Sequence, residues 1–161
     1  MEKVQYKITS PVGPLYLVAS ANALNGVYFV KQAFKSLSKL DLTRPECKIL
    51  QRAAQQLKEY FAGQRKRFDI TYDLDGTIFQ KQVWAQLAKI PFGTTVSYRD
   101  IARRIKNPKA VRAVGSANGK NPVCIMVPCH RVISADGTIG GYSGGLPTKR
   151  KLLQLEAVKG F

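Results

Sequence analysis

The chain has 161 residues, with 26 Lys or Arg against 10 Asp or Glu, a formal net charge of +16. Its 45% hydrophobic and 22% charged residues are typical of a soluble globular protein of one domain or two small ones. No apolar run approaches the ~20 residues of a membrane span, and from the first ten residues we expect no secretory signal. Its three cysteines indicate no disulfide framework. We therefore expect a cytoplasmic protein, and the positive charge favours a polyanionic partner.

Residues 1–76 are predicted to form a first domain that begins with a small sheet. The predicted strands lie at 4–10, which alternates apolar and polar residues, at 15–20 and at 27–30. A turn at Asn25-Gly26 is expected to precede the third strand. Residues 31–42 are rich in lysine and serine and are interpreted as a loop.

A helix follows in the same domain. Thr43-Arg-Pro-Glu46 matches a capping box with proline near the first helical position, and Gly63 is placed to end the helix. Residues 67–74 alternate again as a strand or an extended connector, and 73–76 are interpreted as a linker.

Residues 77–161 are predicted to form a second domain of short helices. The helices begin at a capping box at Thr77-Ile-Phe-Gln80, after Ser97, after Asn107-Pro108 and at Pro147. The helices at 98–105 and 109–118, joined by about three residues, resemble a helix-turn-helix. CIMV at 124–127 is predicted as a buried strand. This half carries 14 basic and 3 acidic side chains, a net +11, against 12 and 7, a net +5, in residues 1–76.

The only histidine, His130, directly follows Cys129. A thiol reacts as its thiolate, which needs a cation, a helix N-terminus or a base beside it. This pair therefore predicts a nucleophile with its base. Adjacent side chains of an extended segment point to opposite faces, so contact requires a turn after Pro128 or a bridging water. Glu156, on the last helix, is available to orient the imidazole.

The alternative is that Cys129 is a buried structural thiol, as we interpret Cys47 and Cys124 to be. A metal site is disfavoured, because Cys124, Cys129 and one histidine give three ligands at a spacing that zinc sites rarely use. No metal and no cofactor is expected.

Two further segments are candidates for ligand binding. The loop at 137–145 has five glycines in nine residues, so its backbone N–H groups around Ser143 could face a flat heterocycle; an ordinary flexible loop is the alternative. The helix at 109–118 is rich in small residues, which allow close packing against another helix or in a nucleic-acid groove. In a groove, Arg112 would be the long cationic side chain that reaches into the nucleic acid. The small residues of this helix are Ala110, Ala113, Gly115, Ser116 and Ala117.

Over roughly residues 77–157 the sequence resembles the O6-alkylguanine-DNA alkyltransferases. The segments that carry the resemblance are SY at 97–98, NPKAVRAVG at 107–115, Asn121-Pro122, PCHRV at 128–132 and GYSGG at 141–145. The resemblance implies an α+β fold: a ribonuclease H-like small sheet plus helix, then a winged helix-turn-helix DNA-binding domain with the active-site cysteine. It implies the activity of a methylated-DNA-[protein]-cysteine S-methyltransferase.

The implied reaction is direct, stoichiometric and irreversible transfer of an alkyl group from O6-alkylguanine in flipped-out double-stranded DNA to Cys129, with O4-alkylthymine left open. By resemblance, His130 takes the thiol proton and Glu156 orients it. Tyr98 turns the phosphate and protonates N3 of the leaving guanine, help that this leaving group needs.

The resemblance also implies residues that bind the substrate. Asn121 holds the turn before the active-site strand, and the base pocket is lined by Tyr142, Ser143 and the carbonyls of Cys129 and Val132. Minor-groove contacts are assigned to Arg112, which fills the vacated stack, and to Ala110, Ala113, Gly115, Ser116 and Arg131.

Three expectations concern differences from some members of the resembled family and the state of the protein in the cell. The first half has one cysteine and no histidine, so the structural zinc of some relatives is not expected. Cys124 stands where some relatives carry proline, which leaves the tolerance for bulky O6 substituents open. A monomer is expected, cytoplasmic or nucleoid-associated in a prokaryote, with cooperativity along DNA left open.

Two other function classes fit the same charge and helices. One is a winged-helix transcription factor or alkyl-lesion sensor without transfer activity. The other is a Cys-His hydrolase, which would turn over many substrates.

Overall fold

The computed structural model describes residues 1–161 and divides into two compact units, Met1–Asp75 and Gly76–Phe161. Each unit has its own buried apolar residues. None of the helices combines the length and apolarity needed to cross a lipid bilayer.

The first unit contains a four-stranded sheet in the order β3-β2-β1-β4. Its strands are β1 (Val4–Ile8), β2 (Leu15–Ala19), β3 (Leu24–Tyr28) and β4 (Lys35–Leu37). β2 is antiparallel to both β1 and β3, whereas β4 runs parallel to β1. The predicted hairpin of the first two strands is confirmed.

Two predictions in this sheet are wrong. Asn25 and Gly26 lie inside β3, and the turn comes earlier, where the N–H of Ser20 donates to the carbonyl of Ala23 at 3.1 Å. The segment 31–42 is not all loop, because it contains β4. The Gln5 side chain donates to carbonyls of that segment at 2.7 and 2.8 Å, which holds it beside β1.

One helix, α1 (Pro45–Phe61), completes the first unit. Proline at its start is confirmed, but the capping box is not, because the Thr43 hydroxyl donates to Asp41 at 2.7 Å and the N-cap is Arg44. Gly63 follows the last turn with a φ of +75°, the left-handed conformation that commonly ends helices. The buried face of the helix consists of Cys47, Leu50, Ala53, Gln56, Leu57 and Tyr60.

The second unit is built from short helices and a two-stranded parallel pair. Its elements are α2 (Ile78–Leu87), β5 (Val96–Ser97), α3 (Tyr98–Arg104), α4 (Val111–Gly119), a 3₁₀ turn (Cys129–Arg131), β6 (Val132–Ile133) and α5 (Leu146–Leu155). The capping box at Thr77 and Gln80 is confirmed. Ser97 and Asp100 form a second one at the start of α3, as expected of a helix after Ser97.

The connection between α3 and α4 is longer than predicted. A turn in which the N–H of Ala110 donates to the carbonyl of Asn107 at 3.0 Å delays the start of α4 to Val111. Ala110 is therefore the N-cap of α4 rather than a residue within it. The two helices still pack closely, and α4 presents Arg112, Ala113 and Ser116 to solvent.

Candidate active site

The segment that leads to Cys129 is a compact buried turn. The predicted strand at 124–127 is wrong, because the N–H of Val127 donates to the carbonyl of Val123 at 3.0 Å and bends the chain. Asn121 holds this bend: its Nδ2 donates to the carbonyl of Val127 at 2.7 Å, and its Oδ1 accepts from the N–H of Val123 at 3.0 Å. Ile125 adopts a φ of +73°, a strained conformation for a β-branched residue. Asn121 thus has the turn-holding position that was expected of it.

Cys129 and His130 lie on a 3₁₀ turn rather than on an extended segment, so their side chains are not forced to opposite faces. Cys129 is 1% exposed and His130 is fully buried. The Nε2 of His130 lies 2.6 Å from Oε2 of Glu156, which is the C-cap of α5. The predicted contact of His130 with Glu156 is confirmed.

Arg131 has a different environment from the one predicted. Its Nε and Nη2 donate to the two carboxylate oxygens of Glu156 at 2.8 and 3.1 Å, and its Nη1 donates to the carbonyl of Ile90 at 2.7 Å. The residue is 5% exposed. The structure contradicts the assignment of Arg131 to DNA contact, because the side chain is buried and each of its three guanidinium nitrogens donates a hydrogen bond inside the unit.

The protonation states follow from these contacts. Burial acts to raise the pKa of Glu156, but the hydrogen bonds and charges of His130 and Arg131 outweigh it and hold the pKa below its usual range. Burial lowers the pKa of His130 despite the opposing pull of Glu156. An ionised Glu156 accepts the proton on Nε2, so the neutral imidazole keeps a lone pair on Nδ1. That Nδ1 is buried and has no hydrogen-bond partner among the protein atoms.

The Cys129 thiol has a pKa below its usual value. The largest cause is a hydrogen bond from the side chain of Cys124, with further contributions from Asn121, from the charge of Lys149 and from Tyr142, while burial opposes them. Cys124 was interpreted as a structural thiol. It is buried as expected, but its position beside the Cys129 sulfur and 3.8 Å from Ser143 Oγ makes it part of the site.

Tyr98 and the glycine-rich loop face each other. Burial raises the pKa of the Tyr98 phenol, with a hydrogen bond from the backbone of Gly141 acting against it. Gly140 has a φ of +72°, and a Cβ there would lie 2.9 Å from the Tyr98 hydroxyl. Only glycine tolerates both the conformation and the closeness of that approach. Tyr142 is half-buried and Ser143 is exposed.

Lys149, which is fully buried on α5, is a residue of the site that was not predicted. Its Nζ donates to the carbonyls of Val132 and Gly141 at 2.7 and 2.9 Å. The helical period could have indicated that Lys149 is buried. It precedes the buried Leu152 and Leu153 by three and four residues, and so lies on the same face of the helix. The run of basic residues around it concealed this pattern.

Two hydrogen bonds connect α4 with its surroundings. The indole Nε1 of Trp84 donates to the carbonyl of Ala117 at 2.8 Å, and the buried Asn118 donates to the carbonyl of Cys129 at 3.4 Å. The helix that exposes Arg112 is thereby attached directly to the residue that carries the sulfur.

Fold and site together define a two-domain α+β protein whose second domain contains a helix-turn-helix and a buried thiol, followed in the chain by an imidazole that a carboxylate holds. Comparisons identify the family. Residues 78–158 match the DNA binding domain of 6-O-methylguanine DNA methyltransferase, and residues 4–74 match the ribonuclease-like domain of the same family. The chain belongs to the 6-O-methylguanine DNA methyltransferase family, and the predicted family and fold class are confirmed.

Curated relatives and solved structures agree with this assignment. The methylated-DNA–protein-cysteine methyltransferase of Mycobacterium tuberculosis (strain ATCC 25618 / H37Rv) is 47% identical over 92% of this chain and 89% of its own length. That of Methanosarcina acetivorans is 46% identical over 91% of this chain and 94% of its own. A crystal structure of Mycobacterium tuberculosis OGT in complex with DNA aligns with a TM-score of 0.84 at 43% identity, covering 95% of this chain and 92% of that one.

Proposed function

We propose that this protein repairs double-stranded DNA by transferring the alkyl group of O6-alkylguanine irreversibly to the sulfur of Cys129. The observation that carries the proposal is the buried Cys129, adjacent to an imidazole whose Nε2 is held by Glu156 at 2.6 Å. The names of the relatives and the DNA complex of the Mycobacterium tuberculosis protein support DNA as the partner.

The substrate base must leave the duplex before reaction. O6 lies at the edge of a base that is held in the duplex, and Cys129 is 1% exposed on a turn inside a folded unit, so the sulfur reaches the alkyl group only if the nucleotide rotates out. Exposed residues of α4 support minor-groove docking, with Arg112 filling the vacated stack and Ala113 and Ser116 allowing close approach. Ala110 and Gly115 are proposed to line the same contact.

The thiol proton is the first to move. It passes from Cys129 to the Nδ1 of His130 through a bridging water. Glu156 then stabilises the imidazolium that forms. Ionised Glu156 fixes the imidazole tautomer, so the base nitrogen is the one without a protein partner.

Transfer then exchanges one bond for another. The thiolate attacks the alkyl carbon, the S–C bond forms as the C–O6 bond breaks, and the electron pair goes to the guanine. Tyr98 donates its proton to N3, and the phenolate recovers a proton from the imidazolium through solvent. A raised pKa keeps Tyr98 protonated at neutral pH, as a donor must be. Val132, Tyr142 and Ser143 are proposed to contact the base.

The product is a thioether that no neighbouring group can hydrolyse, so each molecule acts once. We further propose that residues 77–161 hold the activity, that residues 1–76 form the separate domain with its linker, and that the protein acts as a monomer. A DNA substrate and three free thiols support a cytoplasmic location, at the nucleoid in a prokaryote.

The test is intact-mass spectrometry after mixing the protein with a duplex that contains O6-methylguanine. We expect one added methyl group per protein, mapped to the peptide with Cys129, and a plateau of repaired guanine near one equivalent. Cys129→Ser is the control, expected to keep DNA affinity and lose all transfer.

Other outcomes would reject the proposal. A protein that binds the duplex with no mass change is a transcription factor or lesion sensor. Repair that continues past one equivalent indicates a hydrolase. A methyl group on Cys124 or Cys47 would refute the assignment of the acceptor.

A further inference from the structure

Lys149 is a buried cation that the proposed reaction does not use. Lysine is rarely fully buried unless it is paired, yet both hydrogen bonds of the Lys149 ammonium run to backbone carbonyls rather than to a carboxylate. Burying a charge costs free energy unless it is compensated. The surroundings therefore need to supply negative charge or dipoles.

The two carbonyls belong to the two walls of the site. Val132 begins β6, directly after the 3₁₀ turn that carries Cys129, and β6 pairs with β5 just before Tyr98. Gly141 lies in the glycine-rich loop, and its backbone hydrogen-bonds the Tyr98 hydroxyl. The Lys149 Nζ is also 5.9 Å from the centre of the Tyr98 ring. One ammonium group thus holds together the segments proposed to contact the base.

The charges around the sulfur point to a second role. Arg131 is neutralised by the carboxylate of Glu156 at 2.8 Å, and burial keeps His130 uncharged. Arg150 and Lys151, the neighbours of Lys149 on α5, are exposed. The remaining ionisable side chains near the sulfur are Cys124, Tyr98 and Tyr142, all of which are neutral when protonated. Lys149 is therefore the buried cation left without a carboxylate.

We propose that Lys149 is the counter-cation of the Cys129 thiolate and the brace between Val132 and Gly141, a positioning residue for alkyl transfer. Its charge favours the thiolate, and the thiolate in turn favours the protonated amine, against the burial that lowers the pKa of Lys149 to about 8. The inference takes its biological meaning from the proposed function, but it concerns the thiol and is testable without DNA.

The first experiment measures methylation of Cys129 by methyl iodide across the pH range, followed by mass spectrometry of the Cys129 peptide. In Lys149→Met we expect the midpoint of the rate profile to move up by about one unit, roughly a tenfold loss of thiolate at neutral pH. Lys149→Arg should restore most of the shift. Lys151→Met removes the same charge from the exposed side of α5 and should leave the midpoint unchanged.

The same variants are then given the O6-methylguanine duplex. At pH 7 we expect methyl transfer from DNA to Cys129 to be at least about tenfold slower in Lys149→Met than in wild type. At pH 9 the rate should approach that of wild type, because the loss of rate follows the fraction of Cys129 present as thiolate. If the midpoint for methyl iodide is unchanged in folded Lys149→Met, the inference is wrong. If wild-type protein takes no methyl from DNA while the shift with methyl iodide is present, the proposed function fails and the inference stands.

A second measurement covers the case in which Lys149→Met does not fold. In wild-type protein with ¹⁵N-labelled lysine, the Lys149 amine is titrated by NMR before and after methylation of Cys129. Methylation removes the thiolate, so we expect the titration midpoint of Lys149 to fall. An unchanged midpoint would overturn the pairing of the two groups.

Discussion

Neighbouring side chains determine whether the single sulfur of Cys129 reacts. Its proton is held less tightly because a second thiol, Cys124, donates a hydrogen bond to it, the largest of the causes that lower the pKa of Cys129. The hydrogen bond between His130 and Glu156 was predictable, because few residues in this chain could act as base and carboxylate. The roles of Cys124, Lys149 and Arg131 were not, since each depends on which side chain the folded backbone brings beside it.

Replacing Cys124 with alanine should raise the pKa of Cys129. Without the donated hydrogen bond the thiolate is less favoured, so we expect transfer to slow several-fold at pH 7 and to approach the wild-type rate near pH 9. Single-turnover transfer rates over that pH range are the measurement. Cys47→Ala, which removes a buried thiol from the first unit, is the matched control and should leave the profile unchanged. An equal loss at every pH would attribute the effect to packing instead.

Among the elements, helix starts were predictable where their capping signal is local. The capping box of α2 and the start of α3 depend on side chains three residues apart, which a sequence displays directly. The wrong predictions concern segments whose structure depends on hydrogen bonds from side chains outside the segment. Gln5 holds β4 beside the sheet from a position 27 to 29 residues earlier in the chain. Asn121 bends a run of apolar residues, predicted as a buried strand, into a turn.

The helix α4 should matter most when the lesion is stacked in a duplex. Arg112 is exposed on this helix, and its proposed place is the gap left by the rotated base. For Arg112→Ala we expect a loss of transfer of one to two orders of magnitude from duplex DNA, corresponding to the few kcal/mol that unstacking costs, and a much smaller loss from a single strand. Single-turnover rates on both substrates give the ratio.

Arg103→Ala removes an exposed arginine of α3 and serves as the control. It should reduce the salt dependence of binding without changing the ratio of duplex to single-strand rates. If both variants lower the two rates equally, Arg112 acts only as a phosphate contact.

The stability of the whole molecule depends on pH through the same buried cluster. The pKa of Glu156 is lower in the folded protein than its ordinary value of 4.5. Its contribution to the free energy of unfolding is therefore complete above that value and is lost as pH falls below it. The pKa of His130 is likewise lowered from 6.5, so folding is also opposed as the medium becomes acidic enough to protonate the imidazole of the unfolded chain.

Glu156→Gln should destabilise the protein strongly near neutrality, because Arg131 then remains buried without a counter-charge. We expect the free energy of unfolding to fall by about 3–5 kcal/mol at pH 7, with the difference from wild type shrinking below about pH 4.5. Urea titrations followed by the fluorescence of Trp84, the one tryptophan, report on the second unit. Glu59→Gln breaks a partly exposed ion pair with Arg65 and should cost no more than about 1 kcal/mol. A difference that is constant down to pH 3 would contradict this account.

Cys124 and Asn121, which lower the pKa of Cys129, precede it along the chain, whereas two other groups of the site follow it. Lys149 lies on α5 and Glu156 at its end, so Cys129 is synthesised before its proposed counter-cation and before the carboxylate that holds His130. A growing polypeptide therefore lacks these two groups beside Cys129 until its last helix has been made and has docked. If each molecule acts once, as proposed, we expect this order of synthesis to reduce the capture of stray electrophiles by the nascent chain.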